Sequence, residues 1–188
     1  MLGIIIGSVI IVVILLGGAG VFFGMYNGLV RARIGCETAW SDIDVQLKRR
    51  HDLIPNLVNT VKGYATHEQE TLENVIQARN SAASASGPAA AGAAEGMLSA
   101  ALGKMFALAE AYPDLKANTN FLALQEELTS TENKIGFART HYNRTTAQYN
   151  EKRQTVPTNI VAGMFSFEAR DLFELDSEAE KAVPQVQF

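Results

Sequence analysis

Residues 36–64 read CETAWSDIDVQLKRRHDLIPNLVNTVKGY. Apolar or compact side chains recur through this stretch at alternating steps of four and three: Cys36, Trp40, Ile43, Leu47, Arg50, Ile54, Leu57, Val61 and Tyr64. Side chains three and four apart share one face of an α-helix, so these positions form a heptad seam with one cation in it. Such a helix is one side of a packing interface and needs further helices to bury it.

A second seam runs Ala117, Phe121, Leu124, Leu128, Thr131, Ile135, Ala138, Tyr142, Thr145, Tyr149. It predicts a helix of about 35 residues, roughly 50 Å long. The cations Lys152 and Arg153 suit its C-terminus, and Pro157 stops it. Two shorter helices fall between the seams. THEQETLENVIQARNSAA opens with the capping box Thr66 and Gln69 and is expected to bury Leu72, Val75, Ile76 and the stem of Arg79. AAEGMLSAALGKMFALAEAY is expected to bury Leu98, Leu102, Met105 and Ala109. The small residues of SASGPAAAGAAEG, with their Gly-Pro pair, read as a pliable connection between them. No segment alternates long enough for a central strand.

Ahead of the first seam lies LGIIIGSVIIVVILLGGAGVFF, and no charged side chain occurs from Met1 to Val30. About 22 residues make roughly 33 Å of helix, close to the thickness of a bilayer's hydrocarbon core. Its 15 Ile, Leu, Val and Phe residues favour insertion by of order −5 to −9 kcal/mol before the glycines and Ser8 subtract. No Lys or Arg precedes the run and no A-x-A-like site follows it, so the segment reads as a retained span and not a cleaved signal. Arg31 and Arg33 exclude a lipoprotein reading of Cys36. Arg31, Arg33, Lys48, Arg49 and Arg50 follow the span, which predicts a single-pass inner-membrane protein with its N-terminus outside and its C-terminal domain cytoplasmic. The fold class is therefore all-α: a transmembrane helix followed by an up-and-down four-helix-type bundle with long helices. The expected divisions are an anchor at 1–25, a bundle at 26–156 and a tail at 157–188 that packs on the bundle or touches the membrane surface.

The chain has 188 residues and a formal net charge of −4. That charge gives no general attraction to nucleic acid, and none is expected as a partner. One cysteine excludes an intramolecular disulfide. HEQET, at His67 to Thr71, misses the zinc motif H-E-x-x-H because Thr71 stands in place of the second histidine. ALGKM misses a phosphate-binding loop because Leu98 and Met105 occupy the first-glycine and hydroxyl positions. No nucleophile motif appears, so no catalytic residue, metal site or cofactor is expected, and the chain is read as not an enzyme.

Two constellations carry the functional expectations. Pro55 removes a helical hydrogen bond and crowds the carbonyl of His51, which predicts a kink or brief interruption, with Asp52 capping the segment that follows. Lys48 and Arg49 lie off the seam and are expected to be solvated. Arg50 lies on it, and a cation there calls for a carboxylate from Glu126, Glu127 or Glu132. Arg50, His51, Asp52 and Pro55 are thus a structural joint, with a ligand site as the alternative. The second constellation is Gly20, Gly24, Gly28, Ala32 and Cys36, small residues at every fourth position, a spacing that lets two helix backbones approach closely. Copies of the chain are expected to pack through this stripe.

YNGLVRARIGCETAWSDIDVQLKRRHDLIPNLVNTVKGYATHE, then AYPDLKANTNFLALQEELTSTENKIGFARTHYN, then YNEKRQTVPTNIVAGMFSFEARDLFEL resemble the LemA family of bacterial membrane proteins over nearly the whole chain. Cys36 departs from the aliphatic residue expected there, and Gly136 and Phe137 depart from a stretch that is often alanine-rich. The resemblance implies a membrane helix, an up-and-down bundle, no established enzymatic activity, and a connection with envelope and membrane organisation, including vesicle formation in magnetosome-making bacteria. The expected role is a self-associating membrane scaffold whose partners are itself, the lipid bilayer and envelope proteins. The alternatives are a ligand-binding sensor or adaptor using Arg50, His51 and Asp52, or an enzyme of unknown class.

Overall fold

Why the seams close is visible in the computed structural model, which describes residues 1–65 and 67–174. In chain order its elements are α1 (Leu2–Lys62), α2 (Gln69–Ser84), α3 (Pro88–Ala109), α4 (Pro113–Lys116), α5 (Thr119–Gln154) and α6 (Thr158–Met164), with no strand among the described residues. The chain is all-α, as its periodicity predicts. Two compact units use these helices: among the described residues one comprises Met1–Ala39 with Arg144–Arg170, the other Trp40–Asn143 with residues 171–174.

The second unit holds the main core. Ile54, Leu57, Val58 and Val61 of α1, Leu72 and Val75 of α2, Leu98, Leu102 and Met105 of α3, and Phe121 and Leu128 of α5 are buried together. Each fully buried side chain of this kind contributes about 1.5–3 kcal/mol. Ile76, expected in this core, is 42 % exposed. It lies beside the Leu72, Val75, Ala82 stripe of α2, at the edge of a surface hollow lined by Glu73, Gln77 and Asn80. The start of α5 is fixed by the side-chain oxygen of Asn118, which accepts a hydrogen bond from the amide of Phe121 at 3.0 Å.

Three local expectations change. The connection read over residues 84–96 is mostly helix, because α3 begins at Pro88. Proline needs no N–H partner in a first turn and alanine is the best helix former, so only the stretch through Gly87, whose φ of 84° turns the chain, remains a link. The capping box cannot be placed, since Thr66 lies outside the described residues, and Glu68, which precedes α2, makes no side-chain cap bond. Finally, of the kink or brief interruption expected at Pro55, the interruption is absent, and α1 runs through it as one helix. The His51 carbonyl that Pro55 cannot bond accepts the Nε–H of Arg79 at 3.2 Å, so α2 supplies the donor that the proline withholds. With no new helix beginning there, Asp52 has nothing to cap and lies exposed.

Residues 171–174 lie along this unit. Asn143 grips Phe173 twice: its Nδ2–H donates to the carbonyl at 3.0 Å and its Oδ1 accepts the amide at 2.9 Å. The Tyr142 hydroxyl donates to the Asp171 carbonyl at 2.7 Å, and the Phe173 ring is buried 5.8 Å from that of Trp40. Gly92 is required here, because a Cβ would stand 2.1 Å from the Glu174 carbonyl oxygen. Residues 175–188 of the expected tail lie outside the described residues.

In the first unit, α1 leaves the apolar side chains of its N-terminal stretch uncovered, and no residue of its most apolar 18-residue window is buried. Further along, Leu29 and Cys36 pack against Tyr149 of α5, Val161 and Ala162 of α6, and Phe167. Asn150 repeats the grip of Asn143, now on Arg170, with bonds of 2.8 and 3.0 Å, and the Tyr149 hydroxyl donates to the Glu168 carbonyl at 2.8 Å.

Candidate functional site

Arg50 and His51 occupy adjacent buried positions of α1, and α3 and α5 bring the groups that meet them. Glu95 of α3 is 1 % exposed and serves both: its Oε2 accepts from Arg50 Nη1 at 2.7 Å, and its Oε1 lies 2.5 Å from His51 Nε2. With the carboxylate ionised, that contact requires a proton on Nε2. Arg50 Nη2 donates to Ser99 Oγ at 2.8 Å, one turn along α3, and pairs with Glu132 Oε2 of α5 at 2.9 Å. The guanidinium therefore ties three helices at one level of the core.

Of the three acids on α5 that sequence offers to Arg50, the structure selects Glu132. Glu127 instead forms a surface pair with Arg49, which is exposed, as its position off the seam predicts. Asp52 does not join the cluster, and Pro55 lies exposed four residues beyond His51. Glu95 and Ser99 were not anticipated. A signal for Glu95 exists: it precedes Leu98, Leu102, Met105 and Ala109 at the same three- and four-residue steps, so it is a lone acid in the α3 seam as Arg50 is a lone base in the α1 seam.

Chemically the cluster is closed. Both Glu95 oxygens are engaged, and Arg50 is matched by two carboxylates and a hydroxyl, although Glu132 Oε2 is buried with the ion pair and no hydrogen bond. Glu132 is its edge, with a side chain 43 % exposed that lines a surface hollow of about 350 Å³ beside Ile135, Gly136 and Phe137. Among the described residues no three of His, Cys, Asp and Glu gather closely enough to hold a metal ion.

The stripe of small residues divides. Among the described residues, no atom other than the surrounding backbone of α1 and the adjoining residues lies within 4 Å of where a Cβ would stand on Gly20 or Gly24. At Gly28, Lys152 Nζ stands 2.7 Å from that point; Ala32 packs on the first unit's core; and Cys36 is 2 % exposed within it. Burial pushes the Cys36 thiol above its ordinary range, against smaller opposing effects from the Thr146 hydroxyl and Arg170.

A family model described as the LemA family matches residues 39–188. A curated relative, Protein LemA of Metamycoplasma hominis, is 30 % identical over 146 residues, which make up 76 % of this chain, and the match spans 65 % of that relative's own length. The family is not known as an enzyme family. Residues 39–188 include Arg50, His51, Glu95, Ser99 and Glu132 as well as Asn143 and Asn150, and the chain belongs to the LemA family.

Proposed function

We propose that this protein is a membrane-anchored structural scaffold that self-associates and takes part in envelope or membrane organisation. The observation that carries the reading is the closed state of the Arg50, His51 and Glu95 cluster. Its charges are matched within the chain and hold α1, α3 and α5 in register, which is the work of a structural element and leaves a ligand few unsatisfied groups. Anchoring is supported by the uncovered apolar stretch of α1, long enough to cross a membrane. The basic residues after it favour a cytoplasmic bundle at the inner membrane. Self-association is assigned to the part of the stripe that the chain leaves open, Gly20 and Gly24, where a second copy's helix can approach. The lower part, Gly28 to Cys36, is occupied by the chain's own side chains.

The test is the mass of the full-length protein in lipid nanodiscs beside a Gly24→Leu variant. A defined multimer that Gly24→Leu reduces to smaller species is the expected result. A multimer unchanged by the substitution removes the stripe from the reading. A monomer in both removes self-association and leaves an adaptor or sensor.

A further inference from the structure

The short helix α6 is apolar on two sides. Inward, Val161 and Ala162 are buried against Leu29, Cys36 and Tyr149. Outward, Ile160 is 61 %, Met164 65 % and Phe165 48 % exposed, and Val156 just before the helix is exposed too. Ile160 and Met164 lie four residues apart and therefore form one outer stripe. A surface helix in water shows polar side chains on that face.

The surroundings of α6 are ordered in layers along α1. Phe22 and Phe23 end the apolar run that begins at Leu2. The Phe165 ring stands 6.0 Å from Phe22 and 4.7 Å from Tyr26, and the Phe167 ring 5.8 Å from Tyr26. Beyond these aromatics come cations: Lys152 reaches Gly28, and the Arg33 guanidinium lies 5.4 Å over the Phe167 ring. Apolar run, aromatic belt and basic layer follow one another as they do where a helix leaves a bilayer. From Phe22 to Leu29 is about 10 Å of helix, the depth to which interfacial segments seat themselves.

We infer that residues 156–165, with α6 at their centre, are a second membrane contact: the segment lies in the bilayer interface beside the span, its Ile160, Met164 and Phe165 face against the acyl chains and Arg31, Arg33 and Lys152 at the headgroups. The occupant of this face is lipid, because the rings that place it belong to the end of the span itself. The inference rests on the anchor in the proposed function and is independent of self-association.

The test uses the full-length chain in vesicles of phosphatidylcholine with a minority of phosphatidylglycerol. Single spin labels are placed at Ile11→Cys, Ile160→Cys, Met164→Cys and Glu168→Cys in a Cys36→Ala background, and collisions with oxygen, which partitions into lipid, are compared with collisions with a water-soluble nickel chelate. The oxygen-to-nickel ratio at 160 and 164 is expected to exceed that at 168 several-fold and to approach that at 11. A ratio at 160 and 164 equal to that at 168 overturns the inference while leaving the anchor intact. Low collision with both reagents overturns it as well, since protein and not lipid would then cover the face. A water-like ratio at position 11 overturns the anchor and this contact together. All four positions are exposed, so the labels do not disturb the core.

Discussion

Helix α1 serves two units under opposite conditions. Past Ala39 its difficult groups are polar and face inward: Arg50 and His51 are buried, and Glu95, Ser99 and Glu132 from other helices satisfy them. Before Ala39 its difficult groups are apolar and face outward, and the described residues leave the run from Val9 to Val21 largely uncovered. The second unit meets its buried charges with its own side chains, whereas the first leaves an apolar run exposed. A substitution that removes an internal partner should therefore act on the second unit's stability. A substitution on the first unit's outer face should act on its environment and leave folding alone.

The largest effect is expected at Glu95. Glu95→Gln keeps the shape and removes the charge that Arg50 and His51 share, and removing one partner of a buried pair costs about 3–5 kcal/mol. Denaturant titration of the full-length protein in detergent, followed by helical circular dichroism, should show a clearly lower midpoint. Glu132→Gln should cost less, on the order of 1 kcal/mol, because its carboxylate is partly solvated and screened. Ile160→Ser, on the outer face of the first unit, should leave the midpoint where it is. Equal midpoints for wild type and Glu95→Gln would remove the contrast between the units.

How far the sequence discloses this arrangement follows from what periodicity can see. The seams of α1 and α5 are readable because burial repeats at three and four residues, and Arg50 stands out as a charge in phase with Leu47 and Ile54. Its partner on α5 is readable only as one of three acids, Glu126, Glu127 and Glu132, and packing selects the last. Glu95 is not readable, because the alanines and glycines around it suggest a flexible link, and only the extension of α3 back to Pro88 brings it into the seam. Arg79 is equally hidden: a proline announces a broken hydrogen bond, but which side chain takes the orphaned carbonyl depends on tertiary packing. Asn143 and Asn150 lie off the apolar seam and resemble solvated residues. Their signal is the pair Tyr-Asn repeated after seven positions, and its meaning appears only once the tail lies alongside α5.

A sharper test within the second unit uses Pro55 and Arg79. A hydrogen bond from a charged donor contributes about 1.5–3 kcal/mol, so Arg79→Leu should destabilise by that order. Pro55→Ala restores an N–H four residues after His51 and gives its carbonyl an internal partner. Arg79→Leu should then cost less, with a coupling of about 1 kcal/mol in the double-mutant cycle. Equal costs in both backgrounds would mean that Arg79 acts through packing of its stem and not through the carbonyl.

The smallest effects are expected where the two units use the same device. Asn143 and Asn150 each hold one backbone residue by two hydrogen bonds, and they stand seven residues apart on α5 while the gripped residues, Phe173 and Arg170, stand three apart. Loss of one such grip should release its segment by about 1–2 kcal/mol, roughly a tenfold faster amide exchange. The two sites should differ in degree. Phe173 is buried beside Trp40, so Asn143→Ala leaves its amide without a partner away from water, whereas the Arg170 amide freed by Asn150→Ala is exposed and bonds to solvent. Hydrogen exchange over residues 168–174 should therefore rise in both variants, with global destabilisation larger for Asn143→Ala. Equal destabilisation by the two would mean that burial of Phe173 adds nothing to the grip, and that the units differ in what they face but not in how they hold the tail.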